Sequence, residues 1–374
     1  MKKKIYFENL DALRALCFLS VFFFHSFYTK IDSIKDTWTY QFLTRTLFVN
    51  GNLGVNFFFV LSGFLITYLL IEEKKLNGNI SLKNFWIRRI LRIWPLFYFC
   101  VFFGFVIFPI AKTLFGETPS ESADPIYYVT FINNFDMLKK GLPDASILGV
   151  LWSVAIEEQF YLLWPVVLYF FPIKRYWVPF TIIITTSLIF RFFNNDLLVH
   201  ELHTLSCIGD MTIGAFGAWA VSTSDSFLSK IENLSRFKIL LIYISFLIVY
   251  LFRADLLLSN EFIRVLERSF IAIIILFIIL EQNYSHKSFF KLSRFPFLSN
   301  LGKITYGLYC LHFLGILTVL TITNLLGWNQ HLWQVIILET SLSLLLSILI
   351  SHLSYKYYES PFLRLKDRFS FFSK

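Results

Sequence analysis

Along its length the chain alternates long apolar stretches with short polar ones. Ten stretches reach or approach the roughly 20 residues a helix needs to span a bilayer. They cover residues 11–29, 50–72, 86–111, 150–172, 176–192, 204–222, 238–252, 264–281, 301–325 and 333–353. The pattern predicts an all-α integral membrane protein, a bundle of about ten transmembrane helices. The fifth and seventh stretches are short, and their ends are the least defined. No repeat, coiled-coil heptad or low-complexity tract breaks the alternation. Nothing after residue 360 is long enough for a second fold, so residues 1–374 are read as one membrane domain with no soluble C-terminal domain.

Composition agrees. Charged residues make up 16% of the chain and hydrophobic residues 56%, where a soluble domain carries about 25% charged residues. The net charge of +9 is explained by where the cations fall. With a cytoplasmic N-terminus and ten alternating helices, the cytoplasmic ends hold Lys2, Lys3 and Lys4, then Lys74, Lys75, Lys83, Arg88, Arg89 and Arg92. Further groups follow, from Lys174 and Arg175 to Arg364, Lys366, Arg368 and Lys374. Together these are about two thirds of all lysines and arginines, a positive-inside bias that places both termini in the cytoplasm. The basicity is thus a topology signal in a multi-pass protein of the cytoplasmic membrane. No basic stripe with exposed aromatics stands apart from the loops, so nothing points to nucleic acid. The lysines before the first stretch resemble a signal peptide, but no small-residue cleavage site follows, and the segment is read as a retained helix. Cys17, Cys100, Cys207 and Cys310 all fall within predicted helices and form no CxxC pair, so neither a disulfide framework nor a metal site is indicated.

Charged groups inside the apolar stretches carry the chemistry. A carboxylate within a membrane helix is costly and faces a cavity, a partner or a substrate path. Glu157 and Glu158 stand together in Leu151-Trp152-Ser153-Val154-Ala155-Ile156-Glu157-Glu158-Gln159-Phe160-Tyr161. Adjacent helical residues point about 100° apart. One of the pair is therefore available to His25 at similar depth, while the other meets a neighbouring helix, for example at Arg191. Asp210 adds an acid in the same half. Arg14 and His25 are eleven positions apart, about 16 Å along a helix with a net turn of about 20°, so they share a face. A lone histidine on an apolar helix is by default a structural hydrogen-bond donor; alignment with Arg14, in a bundle holding paired carboxylates, favours chemistry.

Arg88, Arg89 and Arg92 open the third stretch ahead of Pro95. Such arginines can snorkel to lipid phosphates, and their forks also suit phosphate groups of a nucleotide-based co-substrate. In the ninth stretch Tyr306, Tyr309 and His312 form a slanting polar stripe. The second contributes Asn56, Ser62 and Gly63, where small residues also allow close helix approach. Together these groups outline a route through the membrane: arginines at the inner mouth, tyrosines and His312 midway, and His25 near the carboxylates in the outer half.

Six pieces in order resemble the acyltransferase-3 family of integral membrane acyltransferases, which modify surface polysaccharides and similar acceptors. They are Leu10-Asp11-Ala12-Leu13-Arg14-Ala15 with His25, Phe57-Phe58-Phe59-Val60-Leu61-Ser62-Gly63-Phe64, Arg88-Arg89-Ile90-Leu91-Arg92-Ile93-Trp94-Pro95, the segment around Glu157, Leu301 to His312, and Glu359-Ser360-Pro361. The resemblance implies about ten helices, an acyl-CoA donor drawn from the cytoplasm, and delivery of the acyl group, most often acetyl, to a carbohydrate or glycolipid hydroxyl on the far side. By that resemblance His25 is the essential histidine, Arg14 its upstream basic partner, and Arg89 and Arg92 the donor-associated pair. Arg88, Tyr306 and Tyr309 join them as donor-binding candidates. Glu157 matches the usual acidic position, whereas Glu158 falls where the pattern varies. Thr305 replaces the more usual serine before Tyr306.

Acyl transfer from a thioester to an alcohol needs a base for the hydroxyl proton and stabilisation of the oxyanion. His25 is the expected base and Glu157 the group expected to orient its ring; Ser62, Tyr309 and backbone amides are open as oxyanion donors. Ser62, Glu158, Asp210 and His312 complete the expected polar chamber. Direct transfer and an acyl-histidine intermediate both fit. The loop 113–149, with Asp136, Lys139, Lys140 and Asp144, is the expected contributor to acceptor binding. A proton-coupled transporter or flippase would use the same buried groups as a relay, and CoA binding separates it from the enzyme.

Overall fold

The structure, a computed structural model, describes residues 7–370; Lys2, Lys3, Lys4 and Lys374 of the charge pattern lie outside the described residues. It is helical throughout those residues, with no strand among them. The long helices are α1 Glu8–His25, α2 Leu53–Asn77, α3 Leu82–Leu114, α4 Ser146–Phe170, α5 Trp177–Phe192, α6 Thr204–Thr223, α7 Arg236–Leu258, α8 Glu261–Tyr284, α9 Thr305–Leu326 and α10 Gln334–Asp367. Among the described residues, α2, α3, α4, α6, α7, α9 and α10 are the seven long and apolar enough to cross a membrane. The other three expected spans are helices as well. By that measure α5 falls short in length, while α1 carries Glu8, Asp11 and Arg14, and α8 carries five charges.

The surface is unlike that of a soluble domain, and the mainly apolar interior also holds charges. Leu162 and Leu163 of α4, Leu247 of α7, and Leu345 and Leu349 of α10 are exposed, whereas Thr67, Arg191, Asp210, Glu267 and Arg268 are buried. Apolar side chains outside and paired charges inside are what a hydrocarbon solvent selects.

Small residues set the helix spacing at the centre. A Cβ on Gly63 of α2 would lie 1.8 Å from the Met211 carbonyl oxygen of α6, and one on Gly214 of α6 would lie 2.0 Å from the Val60 carbonyl oxygen. The two backbones thus touch at a reciprocal glycine crossing, which fixes the neighbouring Ser62. At the other end of α2, Lys74 Nζ donates to the Leu168, Tyr169 and Phe171 carbonyls at 2.7, 2.9 and 2.7 Å. An ammonium there satisfies the orphan carbonyls of the α4 C-terminus and complements its dipole.

The end of α1 is defined just as firmly. Ser26 N–H donates to the Phe23 carbonyl, and Ser26 Oγ donates to the Phe22 carbonyl at 2.7 Å. Phe27 then turns to a φ of 67°, a left-handed conformation costly for a bulky residue. Phe27 is held there by ring contacts with Phe23 and Phe48 and by the Tyr40 hydroxyl, which donates to its carbonyl at 2.9 Å. His25 is therefore the last residue of α1, immediately before an immobilised turn.

Candidate active site

α1, α2, α3, α4 and α9 bring the sequence-derived candidates into one line. At one end stand Arg14 of α1 and Arg89 and Arg92 of α3. Arg14 donates to Asp11 Oδ1 at 2.7 Å, a pairing built into α1 by the three-residue spacing. The Arg89 guanidinium lies 5.5 Å from the Tyr161 ring centroid and 5.6 Å from that of Phe85, cation–π distances. Its Nε is buried with no hydrogen-bond partner among the described residues. Arg92 is half-buried and makes no hydrogen bond or ion pair among the described residues. Arg88 faces elsewhere: it donates to Glu73 Oε2 at 3.3 Å and to the Phe369 carbonyl at 2.8 Å. Within one turn, α3 thus carries both a clamp onto α2 and the C-terminal segment and two arginines with donor capacity to spare.

The carboxylates come next. Glu157 accepts from Ser62 Oγ at 2.7 Å and interacts electrostatically with the Arg89 and Arg14 guanidiniums. Glu158 accepts from Trp94 Nε1 at 2.8 Å through one oxygen, while the other is buried without a hydrogen-bond partner among the described residues. Arg191, the cation expected to meet the second carboxylate, pairs instead with Glu267 of α8 at 3.2 Å. Asp210 is engaged in the same region, with Arg268 at 2.6 Å and Asn56 Nδ2 at 3.1 Å. Arg253 at 2.8 Å from Glu267 completes a network in which each buried charge has an opposite partner.

Beyond the carboxylates lies the stripe of α9. The Tyr306 hydroxyl donates to the Ile93 carbonyl at 2.8 Å, close to where Pro95 leaves the α3 ladder without an N–H. The Tyr309 hydroxyl shares a 2.7 Å hydrogen bond with Ser153 Oγ of α4. His312 is fully buried, and its ring centroid is 5.3 Å from that of His25. His25 is half-buried, also packs on Phe313 at 4.7 Å, and hydrogen-bonds to no protein group among the described residues. No hydrogen bond joins Glu157 to His25; Ser153, Tyr309 and His312 stand between them.

Two contributors had no role in the sequence reading. Ser153 is a small hydroxyl inside an apolar run, and only the helix pairing of α4 with α9 reveals its bond to Tyr309. Trp94 reads as one more apolar aromatic until its indole N–H is seen on Glu158; its place just before Pro95, on the arginine-bearing helix, was the available signal.

The acyltransferase-domain family model matches residues 7–352, and the chain belongs to that family, the acyltransferase-3 family. Among curated proteins, the peptidoglycan O-acetyltransferase OatA of Listeria monocytogenes is 35% identical over 178 residues, 44% of this chain and 25% of the relative. A Staphylococcus aureus protein provisionally named an O-acetyltransferase is 27% identical over 389 residues, 96% of this chain and 58% of the relative. A Bacillus subtilis protein provisionally named a peptidoglycan O-acetyltransferase, YrhL, is 32% identical over 167 residues, 44% of this chain and 24% of the relative. The chain thus spans from about a quarter to under three fifths of the length of these relatives. No solved structure matches it.

Proposed function

We propose that the chain is a multi-pass O-acyltransferase of the cytoplasmic membrane, moving an acyl group from acyl-CoA to a carbohydrate hydroxyl on the opposite side. The observation that carries the reading is the line of polar groups from the arginines to His25 through an otherwise apolar bundle, in a chain of this family. The relatives' names support acetyl as the acyl group and a peptidoglycan-type polymer as the acceptor. In this reading α1, α5 and α8 cross the membrane with the other seven, their charges facing partners inside the bundle. Both termini, and the arginine end of the line, are cytoplasmic by the positive-inside rule.

The arginines bind the donor. The CoA phosphates need dense, planar hydrogen-bond donors, and Arg92 and the free Nε of Arg89 supply them without breaking an existing pair. Arg14 completes the positive mouth. Glu157 acts one step back as the counter-charge that holds Arg14 and Arg89, fixed by Ser62. The thioester arm then runs past Glu158, Tyr306 and Tyr309 toward His25. There the acceptor hydroxyl gives its proton to the imidazole as its oxygen attacks the thioester carbon. The C–S bond breaks, and the leaving thiolate recovers the proton from the imidazolium. The Phe24 and Phe313 rings flank the base, with centroids 5.0 and 4.7 Å from that of His25, an apolar setting that disfavours hydrolysis of the thioester.

The test is thiol release from acetyl-CoA by the purified protein in lipid, with and without a membrane glycan extract. Release should require the extract and fall by about 10³-fold or more in His25→Ala, at the scale of a lost general base, with CoA protection against heat retained. Turnover surviving in His25→Ala would overturn the assignment of the base. Failure of CoA both to bind and to turn over would overturn the acyltransferase reading itself.

A further inference from the structure

His25 has a neighbour of its own kind. The His25 and His312 ring planes are tilted by 37°. His312 sits in an aromatic cage, with Phe18, Phe22 and Phe313 ring centroids at 6.0, 6.5 and 4.7 Å. Its Nδ1 lies 2.8 Å from the Tyr309 carbonyl oxygen, three residues back on the same helix. A carbonyl can only accept, so Nδ1 carries a hydrogen, and the neutral ring presents a bare lone pair at Nε2. That Nε2 is buried with no partner among the described residues. A buried acceptor left unmet is costly, and three of the rings around it are phenylalanine and offer no donor. The Tyr309 hydroxyl is committed to Ser153 and the Val150 carbonyl. His25 is the remaining ring neighbour with an N–H to give.

We infer that His312 is a positioning residue for the base: its Nε2 accepts an N–H from His25 during the reaction and so selects the His25 tautomer whose other nitrogen is bare toward the acceptor hydroxyl. The inference rests on the acyltransferase reading and assigns to His312 the orienting task that a carboxylate performs in other histidine-dependent acyl transfers. A neutral acceptor suits this chemistry. It aligns the imidazole, supports the imidazolium once the hydroxyl proton has arrived, and holds that charge less tightly than a carboxylate would. The proton is then handed on to the leaving thiolate. His312 stays neutral throughout, so the atom and proton balance of the transfer is unchanged. The fixed end of α1 limits the other orientations open to the ring, since the Phe27 turn leaves the His25 backbone little freedom.

Two substitutions separate this role from packing. His312→Leu removes the acceptor, and His312→Gln keeps an oxygen acceptor on a side chain of similar reach. Each full-length protein, in lipid, is assayed for thiol release from acetyl-CoA with glycan extract and for CoA protection against heat. The leucine variant should lose about 100-fold or more in kcat, with the KM for acetyl-CoA changed less than about threefold, and the glutamine variant should recover at least tenfold of that loss. Equal loss in the two variants, retention of wild-type kcat in the leucine variant, or loss of CoA protection in both would overturn the positioning role. Wild-type turnover that depends on His25 leaves the acyltransferase reading standing in each of those cases; absent wild-type turnover strikes that reading instead.

Discussion

Arg88, Arg89 and Arg92 occupy one turn of α3 and meet different environments, so substituting each should move a different observable. Arg88 ties Glu73 and the Phe369 carbonyl. Its replacement by glutamine should cost about 1–3 kcal/mol of stability, the scale of a hydrogen bond to a charged group, with the KM for acetyl-CoA unchanged. Arg92 makes no hydrogen bond or ion pair among the described residues. Arg92→Gln should leave thermal unfolding where it is and raise the KM for acetyl-CoA about tenfold, a loss of about 1.4 kcal/mol of donor binding. Steady-state kinetics and melting curves on the two variants check both outcomes; a KM effect confined to Arg88 would move the donor site to the other face of the helix. Spacing alone pairs Arg88 with Arg92 on one face. Glu73 and the C-terminal segment, far off in sequence, break that equivalence, which is why the distinction could not be read from the arginine run itself.

At the scale of elements, the ten apolar stretches reappear as helices at closely similar positions because burying backbone polar groups in an apolar medium leaves few alternatives to a helix. Which helices touch is a different matter. Hydropathy does not distinguish an apolar residue facing lipid from one facing a neighbouring helix, so the pairing of α2 with α6 was legible only as a hint in Gly63. The contact itself makes a sharp prediction. Ala at Gly63 or at Gly214 puts a methyl group into the opposing backbone, and each change should cost about 1–3 kcal/mol, as overpacking does. Because both act at one crossing, the double variant should cost less than the sum. Gly149 is the control: a Cβ there meets nothing nearer than 3.8 Å, and Gly149→Ala should change stability by about 0.5 kcal/mol or less. Thermal unfolding in detergent reads all four proteins, and additive losses would mean that the crossing is not shared.

For the whole molecule, the charges of the proposed donor site also bear on the proposed topology, and the two are tied. Arg14, Arg89 and Arg92 lie at the end of the bundle where the loops are rich in lysine and arginine, so the positive-inside rule and the donor's cytoplasmic origin must agree or fail together. The network of Asp210, Glu267, Arg191, Arg253 and Arg268 gives no such orientation signal, since its charges cancel inside the protein. Asp210, read from the sequence as part of the polar chamber, is paired with Arg268 and Asn56, partners that a hydropathy profile does not reveal. Labelling with a membrane-impermeant maleimide tests the orientation directly. The four native cysteines are buried, and Ser122 and Lys287 are exposed; in the proposed topology they lie on opposite sides of the membrane. In intact cells Ser122→Cys should label, and Lys287→Cys should label only after the membrane is permeabilised. The reverse pattern would turn the protein over and put the arginines outside, away from any CoA. Donor and base would then lie on the wrong sides for transfer outward, whatever the distances within the site.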